Sequence, residues 1–549
     1  MSYKHFFIVL ISLFTFQFSL FAQNGVIKGR VFNEKNNEPL PFVNIIIQGT
    51  NIGSATDFDG RFVFTGIAPG YVKLILSTVG FERKITSEFM VNNSKSVNVE
   101  IGMRENAINL EAVEVKADLF AKKEESPVSV NVIGISELER SPGGNRDVSK
   151  VIQSLPGVAS GVSFRNDLIV RGGGANENRF YLDDIEIPNL NHFATQGGSG
   201  GPVGIVNIDF VKEIEFFSGA FPASRGNALS SVMLLKQIEG NKERMQFKGA
   251  VGASDLSLAI DGPLGEKTNY LFSYRRSYLQ FLFSAIGLPF LPTYNDYQFK
   301  ISHKINEKNQ LNVISLGALD QSRLNTGIKE PTDYQKYILG YLPENDQWNY
   351  TFGIVWKHFT KNGYQNYVVS RNYLNNTQIK YLNNDEKAGI KILDYNSHEI
   401  ENKFRFEEVY LSNGYRITAG FGGEYDKYFN RTYNNTVVGN REMIIDYTSS
   451  LEFFRWNLFV QAGKAFFKDK LTLSAGIRSD ANNYSFSMVD MTDQLSPRLS
   501  VSYNFKPKWN LNFNIARYHQ MPTYTTLGYR DSLGDIVNKE NKITYIRVD

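Results

Sequence analysis

The sequence predicts a mainly β protein in three parts: an N-terminal β-sandwich, an α+β middle domain, and an antiparallel transmembrane β-barrel wall. Three observations carry that prediction. From about Gln246 onward, apolar and polar residues alternate in long segments joined by tight polar turns. From Gly25 to Met103 the strands are short and separated by Gly, Pro, Asn and Asp. Beyond Ala22 no uninterrupted apolar run approaches the ~20 residues of a membrane helix, so a membrane-embedded form has to be a barrel.

The chain has 549 residues, more than one compact core accommodates. Its net charge of +3 is spread along the sequence and gives no reason to expect a nucleic-acid partner. Cysteine is absent, which excludes disulfides, thiolate metal sites, cysteine nucleophiles and a lipidated cysteine anchor. Residues 1–22 read as a secretory signal: Lys4 gives the basic start, Phe6–Phe21 is largely apolar, and Ala22 precedes a cleavage point before Gln23. The predicted division is 1–22 signal, 23–104 sandwich, 105–120 linker, 121–240 middle domain and 241–549 wall.

In the sandwich, Gly25–Phe32 and Arg61–Ile67 alternate, Phe42–Thr50 reads as a nearly continuous buried strand, and Tyr71–Phe81 follows the Pro69-Gly70 turn. Asp57 and Asp59 sit at alternate positions, as in a calcium loop. Arg61 and Ala68 occupy the places where further oxygen ligands would be needed, so Asp59-Gly60 is read as a hairpin turn. The stretches EPLPFVNIIIQGT (Glu38–Thr50) and ATDFDGRFVF (Ala55–Phe64) resemble the carboxypeptidase-regulatory-like domain, a non-catalytic accessory module. Among the six histidines only His398 is followed three residues later by Glu, at Glu401, and it lies in the alternating second half far from the sandwich, so an attached zinc peptidase is not expected.

In the middle domain Ser126–Ile135 reads as a strand. Val148, Val151, Ile152 and Leu155 then mark one face of a helix, capped by Asn145 or Asp147 and stopped by Pro156-Gly157. The run Gly172, Gly173, Gly174 follows the strand Leu168–Arg171. A phosphate-binding loop would need GxxxxGK[ST] opening a helix, and neither is present. The glycines are better explained by a tight backbone path in a crowded space.

The stretch LIVRGGGANENRFYLDDIEIPN (Leu168–Asn189), with Arg171, the three glycines, Asp183 and Asp184, resembles the plug of TonB-dependent outer-membrane receptors. FVKEIEFFSGAFPASRGNALSSVMLL (Phe210–Leu235) resembles the closing segment of the same plug. It departs from the family where Ser224-Arg225 precedes Gly226, a place where a Tyr-Gly is common, and at Ser230-Ser231, which replace a Gly pair. It also lacks the wording of the glycan-importing branch. The resemblance implies an outer-membrane location and partnership with TonB and its inner-membrane complex. It further implies contact with outer-membrane lipid, a small ligand and, as a further partner, a surface lipoprotein. It implies neither a cofactor nor catalytic or metal residues.

Under this resemblance Leu110, Glu111, Ala112, Val113, Glu114, Val115, Lys116 and Ala117 lie where a TonB box belongs, and an extended segment of this kind can add itself to a partner's sheet edge. Asn176, Asn178, Asn191 and His192 are the candidate ligand contacts in the plug loops. The expected function is TonB-dependent import of a scarce nutrient; the alternative is a ligand-binding receptor or signal transducer without transport. An enzyme is disfavoured, because no nucleophile elbow, metal-ligand pair or carboxylate pair stands in a recognisable frame.

The wall reads as paired strands. Tyr350, Phe352, Ile354 and Trp356 turn at Lys361-Asn362-Gly363 into Tyr367 and Val369; Phe404, Phe406 and Tyr410 turn at Ser412-Asn413-Gly414 into Ile417 and Phe421. Trp456, Leu458 and Val460 lead to Leu471 and Leu473, and Leu499, Val501 and Tyr503 lead to Leu511 and Phe513. The short turns would lie at the periplasmic end, and Asn325–Gln347, Asn375–Asn396 and Asn430–Ser450 would be outer loops. All four tryptophans (Trp348, Trp356, Trp456, Trp509) fall here, as interfacial girdles require. About twelve strands are discernible, with Lys542–Val548 starting a thirteenth, against about 22 in plugged transporter barrels. An incomplete barrel, from a fragment or a truncated gene product, is therefore expected.

Overall fold

The computed structural model describes residues 24–105, 128 and 130–548, apart from 94, 162–164, 199, 253, 440, 468–469, 507–508, 532 and 539–542. The signal segment and the candidate box Leu110–Ala117 lie outside the described residues.

The N-terminal unit is a sandwich. Gly25–Asn33 runs between Arg61–Ile67, antiparallel, and Val97–Met103, parallel. A second sheet is built on Asn44–Ile47 and Leu74–Ser77. Between them Ile27, Val31, Ile45, Phe62, Leu74 and Ile101 form the core. The expected continuous buried strand over Phe42–Thr50 is corrected: only Asn44–Ile47 is strand, and Ile46 points outward because that sheet has one open face. At the aspartate turn the Asp57 carboxylate accepts the Asp59 and Arg61 amides at 3.0 and 2.7 Å, and Gly60 takes φ +72°. Its oxygen lone pairs serve the backbone.

The middle domain is a five-stranded sheet in the order Val130–Gly134, Val211–Phe217, Ser231–Gln237, Asn178–Leu182, Ile185–Ile187. Two α-helices, Ile135–Arg140 and Val148–Gln153, follow its first strand among the described residues; the second is capped by Asp147, whose carboxylate accepts the Ser149 amide at 2.8 Å, and Asn145 sits in a left-handed turn before it. Arg171 and Gly172 both have positive φ, and a Cβ on Gly173 would fall on the Ser230 hydroxyl. The three glycines let the chain reverse in contact with the closing strand.

The wall is one sheet of 14 strands, each antiparallel to its sequence neighbour, from Gln246–Val251 to Ile543–Val548. The count exceeds the sequence-based one by one or two, and the first strand, QFKGAV, is only six residues long with little alternation. The two end strands are not paired with one another. The expected outer loops are largely not loops. Asn325–Gln347 contains the helix Asp333–Tyr341, while Gly363–Tyr381, Lys391–Ser412, Tyr415–Val438 and Arg441–Phe466 carry strand far into the other two. Tyr, Thr and Asn suit a solvated hairpin, so polar composition there did not mean absence of strand.

Burial in the wall is inverted relative to a soluble protein. Gln298, Ser315, Asp320, Thr351, Asn372, Asp426 and Asn514 are buried, whereas Phe352, Ile354, Phe421, Leu458, Leu499 and Phe513 are exposed. The outward band on Tyr415–Val438 runs from Tyr415 to Tyr425, ~34 Å of strand or ~24 Å of height at a 45° tilt, close to the apolar height of an outer-membrane barrel. Aromatic stacks edge the band: Trp348 on Tyr373 at 4.4 Å and Trp356 on Tyr367 at 4.8 Å.

The middle domain sits inside this wall and touches it from Arg275 round to Tyr518. The sandwich docks at the short-turn end through ion pairs, among them Arg30–Glu307 at 3.2 Å, Lys95–Asp261 at 2.8 Å and Lys242–Glu100 at 2.6 Å.

Candidate functional site

The hairpin Asn178–Ile187 brings its Asp183-Asp184 turn against the wall. Both aspartates have left-handed φ (43° and 72°), the two-residue turn geometry that Asp tolerates. Asp183 accepts the Gln237 amide at 2.9 Å and pairs with Lys300 of the wall at 3.0 Å. Asp184 pairs with Arg225, which also reaches Glu407 of the wall at 3.1 Å, and the Asp184 carbonyl accepts from Arg405 at 2.9 Å. Burial raises the Asp184 carboxyl, but Arg225 and Arg405 outweigh it and hold the group below its ordinary range. Arg225 is the residue that departs from the family wording, and here it ties turn, closing segment and wall together. Sequence reasoning marked the departure but had no means of finding a partner 182 residues away.

A second tie lies at the Asn191–Phe193 loop. His192 is fully buried, with Nδ1 2.6 Å from Asp320 and Nε2 3.0 Å from Asp296, both wall carboxylates that are themselves fully buried. The Phe193 amide donates to the second Asp320 oxygen at 2.8 Å, and Arg275 donates to Asp296 and to the Gly204 and Ile205 carbonyls. Two carboxylates facing both ring nitrogens require an imidazolium. Burial disfavours it, yet Asp320 and Asp296 outweigh that effect and push His192 up to about 9.

Between the plug hairpin and the wall strands from Gly363–Tyr381 round to Trp509–Gln520 lies a chamber in two connected lobes. One lobe has about 1000 Å³ of space including its open part, and the two share Glu186, Asn227, Arg455, Gln520 and Met521. Charged groups line it as opposed pairs. Lys403 meets Glu186 at 3.1 Å and Glu401 at 2.9 Å; Arg455 meets Glu424 and, at 2.5 Å, Asp426; Arg478 meets Asp480 at 2.6 Å. Arg498 donates to the Phe221, Pro222 and Arg225 carbonyls and fixes the closing loop at the chamber's edge.

Of the sequence-designated residues, Asn176 and Asn178 line this chamber. The Asn178 side chain also donates to the Leu168 and Ala175 carbonyls, and the Asn176 carbonyl accepts from Gln520 of the wall at 2.6 Å. Asn191 and His192 are enclosed at the plug–wall contact, where Asn191 accepts from Ser149 at 3.0 Å. Arg171 lies near Ser218, away from the Asp183-Asp184 turn. The charged wall residues Glu399, Glu401, Lys403, Arg405 and Glu407 escaped the sequence reading, although HEIENKFRFEE alternates charges against Phe404 and Phe406. A barrel strand that places ionisable groups at every second position while meeting lipid on the other was the available signal.

Three family models match the chain: the CarboxypepD_reg-like domain over residues 27–115, the TonB-dependent receptor plug domain over 122–232, and the TonB-dependent receptor-like β-barrel over 267–541. Among curated proteins, the TonB-dependent receptor P39 of Formosa agariphila is 26% identical over 285 residues, covering 47% of this chain and 26% of that protein. The receptor P26 of the same organism is 28% identical over 218 residues, 37% of this chain and 19% of that protein. The chain thus spans about a quarter or less of the curated relatives it matches. Solved structures with the same fold include a ferric enterobactin receptor of Pseudomonas aeruginosa (TM-score 0.54, 18% identity, 73% of this chain and 64% of that one). The copper transporter OprC is another (TM-score 0.55, 10% identity, 78% and 69%).

Proposed function

The chain belongs to the TonB-dependent receptor family, and from that premise we propose that it imports a scarce nutrient across the outer membrane. The observation that carries the reading is a wall with apolar side chains outside and polar ones inside, curved around a plug whose loops share a chamber with it. Ligand enters from the long-hairpin end and reaches the chamber lined by Asn176 and Asn178. TonB pairs with Leu110–Ala117, and force on the plug's N-terminal side loosens its contacts with the wall. The plug–wall contacts suit that task, being hydrogen bonds and ion pairs that can separate into water. No covalent chemistry is required of any residue.

The solved relatives are a ferric enterobactin receptor and a copper transporter, which supports uptake of a ligand without naming one here. Deleting Leu110–Ala117 tests the proposal. Loss of ligand accumulation with retained surface binding is expected; unchanged accumulation removes the TonB mechanism, and binding with no accumulation in either form favours a receptor that does not transport.

A further inference from the structure

Charge pairing in the chamber is nearly complete, and the exception is informative. Asp184, Glu186, Glu401, Glu424 and Asp480 each face an arginine or lysine within 4 Å. Glu399 lines the same chamber from the strand Lys391–Ser412, on the face shared with Glu401 and Lys403, and has no hydrogen-bond or ion-pair partner among the described residues. The charged groups near it are Glu401 and Asp426, both acidic and both already engaged, by Lys403 and by Arg455. A carboxylate held among like charges beside water-accessible space is unfavourable until it is neutralised, by a proton in the empty chamber or by a cationic ligand in the filled one. The basic groups of the chamber are committed to other carboxylates, so none is free to turn toward it without exposing another.

We propose that the chamber takes a ligand bearing an ammonium or guanidinium group, with Glu399 as its counter-charge. This rests on the chamber being the ligand site of the import reading. A divalent metal ion fits less well, because one unpaired carboxylate falls far short of the six or so oxygens that hard cations gather. An anionic ligand fits worst. It would have to displace paired carboxylates to reach a cation, whereas a cationic one completes the pairing and leaves the others intact. The neutral lining groups, Asn176, Asn189 and Tyr524 among them, would hydrogen-bond the remainder of such a ligand.

The test uses the full chain in detergent and three blocked peptides of one backbone length: trilysine, trialanine and triglutamate. Binding is followed by tryptophan fluorescence, since Trp456 adjoins the chamber. Trilysine is expected to bind at least about tenfold more tightly than the other two, corresponding to ~1.4 kcal/mol. Glu399→Gln should erase that preference with the far-ultraviolet spectrum unchanged, and Glu399→Lys should shift it toward triglutamate. Equal or absent binding of all three peptides, tighter binding of triglutamate, or a trilysine preference untouched by Glu399→Gln would each overturn the proposal. Because no energy source is needed, such a result leaves the uptake reading to the Leu110–Ala117 deletion.

Discussion

The sandwich and the wall are written in the same two-residue alternation, yet they bury opposite faces. In the sandwich Ile45 and Leu76 are enclosed and the polar partners face water. In the wall Ser500 and Asn514 are enclosed, while Leu499 and Phe513 face out. Period alone therefore does not say which side is the interior. What decides is the neighbour: a second apolar sheet in one case, and a polar plug inside with lipid outside in the other.

The sharpest way to break the comparison is at the plug–wall contact, where the polar interior is tightest. Arg225→Ala leaves the buried Glu407 without its cation and Asp184 with Arg405 alone, and a loss of about 3–5 kcal/mol is expected in urea unfolding from detergent. In the sandwich the matching lesion is apolar. Ile45→Ala should cost about 2–5 kcal/mol in the sandwich's own unfolding transition while Ser500→Ala, equally enclosed in the wall, costs far less.

On the outer faces the contrast reverses. Leu458 and Val63 are exposed to similar degrees, 54% and 49%. Leu458→Arg should destabilise the wall by about 2–4 kcal/mol in lipid vesicles if it lies near the bilayer centre, whereas Val63→Arg should stay within about 0.5 kcal/mol. Equal effects would mean that lipid does not cover the wall.

The His192 contact adds a pH dependence that the sandwich should not share. Its folded pKa is raised from 6.5 to about 9, so its stabilising effect is complete below about pH 6.5 and lost as pH rises through about 9. Hydrogen exchange at Phe193, corrected for the intrinsic rate, should accelerate over that window, and His192→Gln should flatten the profile. The smallest effect is at the sandwich's docking face. Arg30–Glu307 involves a glutamate largely open to solvent, so Arg30→Ala should change docking by less than about 1 kcal/mol, and by less still at high salt.

Much of the fold was legible because strand period, turn residues and the plug stretch are local properties. Gly172–Gly174 announced a tight backbone path, and the chain makes one there, with Gly172 at positive φ and Gly173 against Ser230. The site was less legible, since its determinants are relations between distant residues. Nothing near Arg225 in sequence indicates Glu407, and nothing near His192 indicates Asp296 and Asp320. The long hairpins were misjudged as loops for a different reason. Outside lipid, a strand has no need of an apolar face, so the signal fades while the hydrogen-bond ladder continues.

The packing of Phe221 against Tyr518, at 4.5 Å, and the grip of Arg498 on a carbonyl 277 positions upstream bear on assembly. The stopper's last apolar cluster is finished only by residues that emerge from the ribosome and the export machinery long after its own sheet. Until they arrive, Val130, Phe217 and Val232 have an unfilled side in the periplasm. Export should therefore deliver a sticky half-built intermediate, and cells short of periplasmic holdases should lose this protein to aggregation before it inserts.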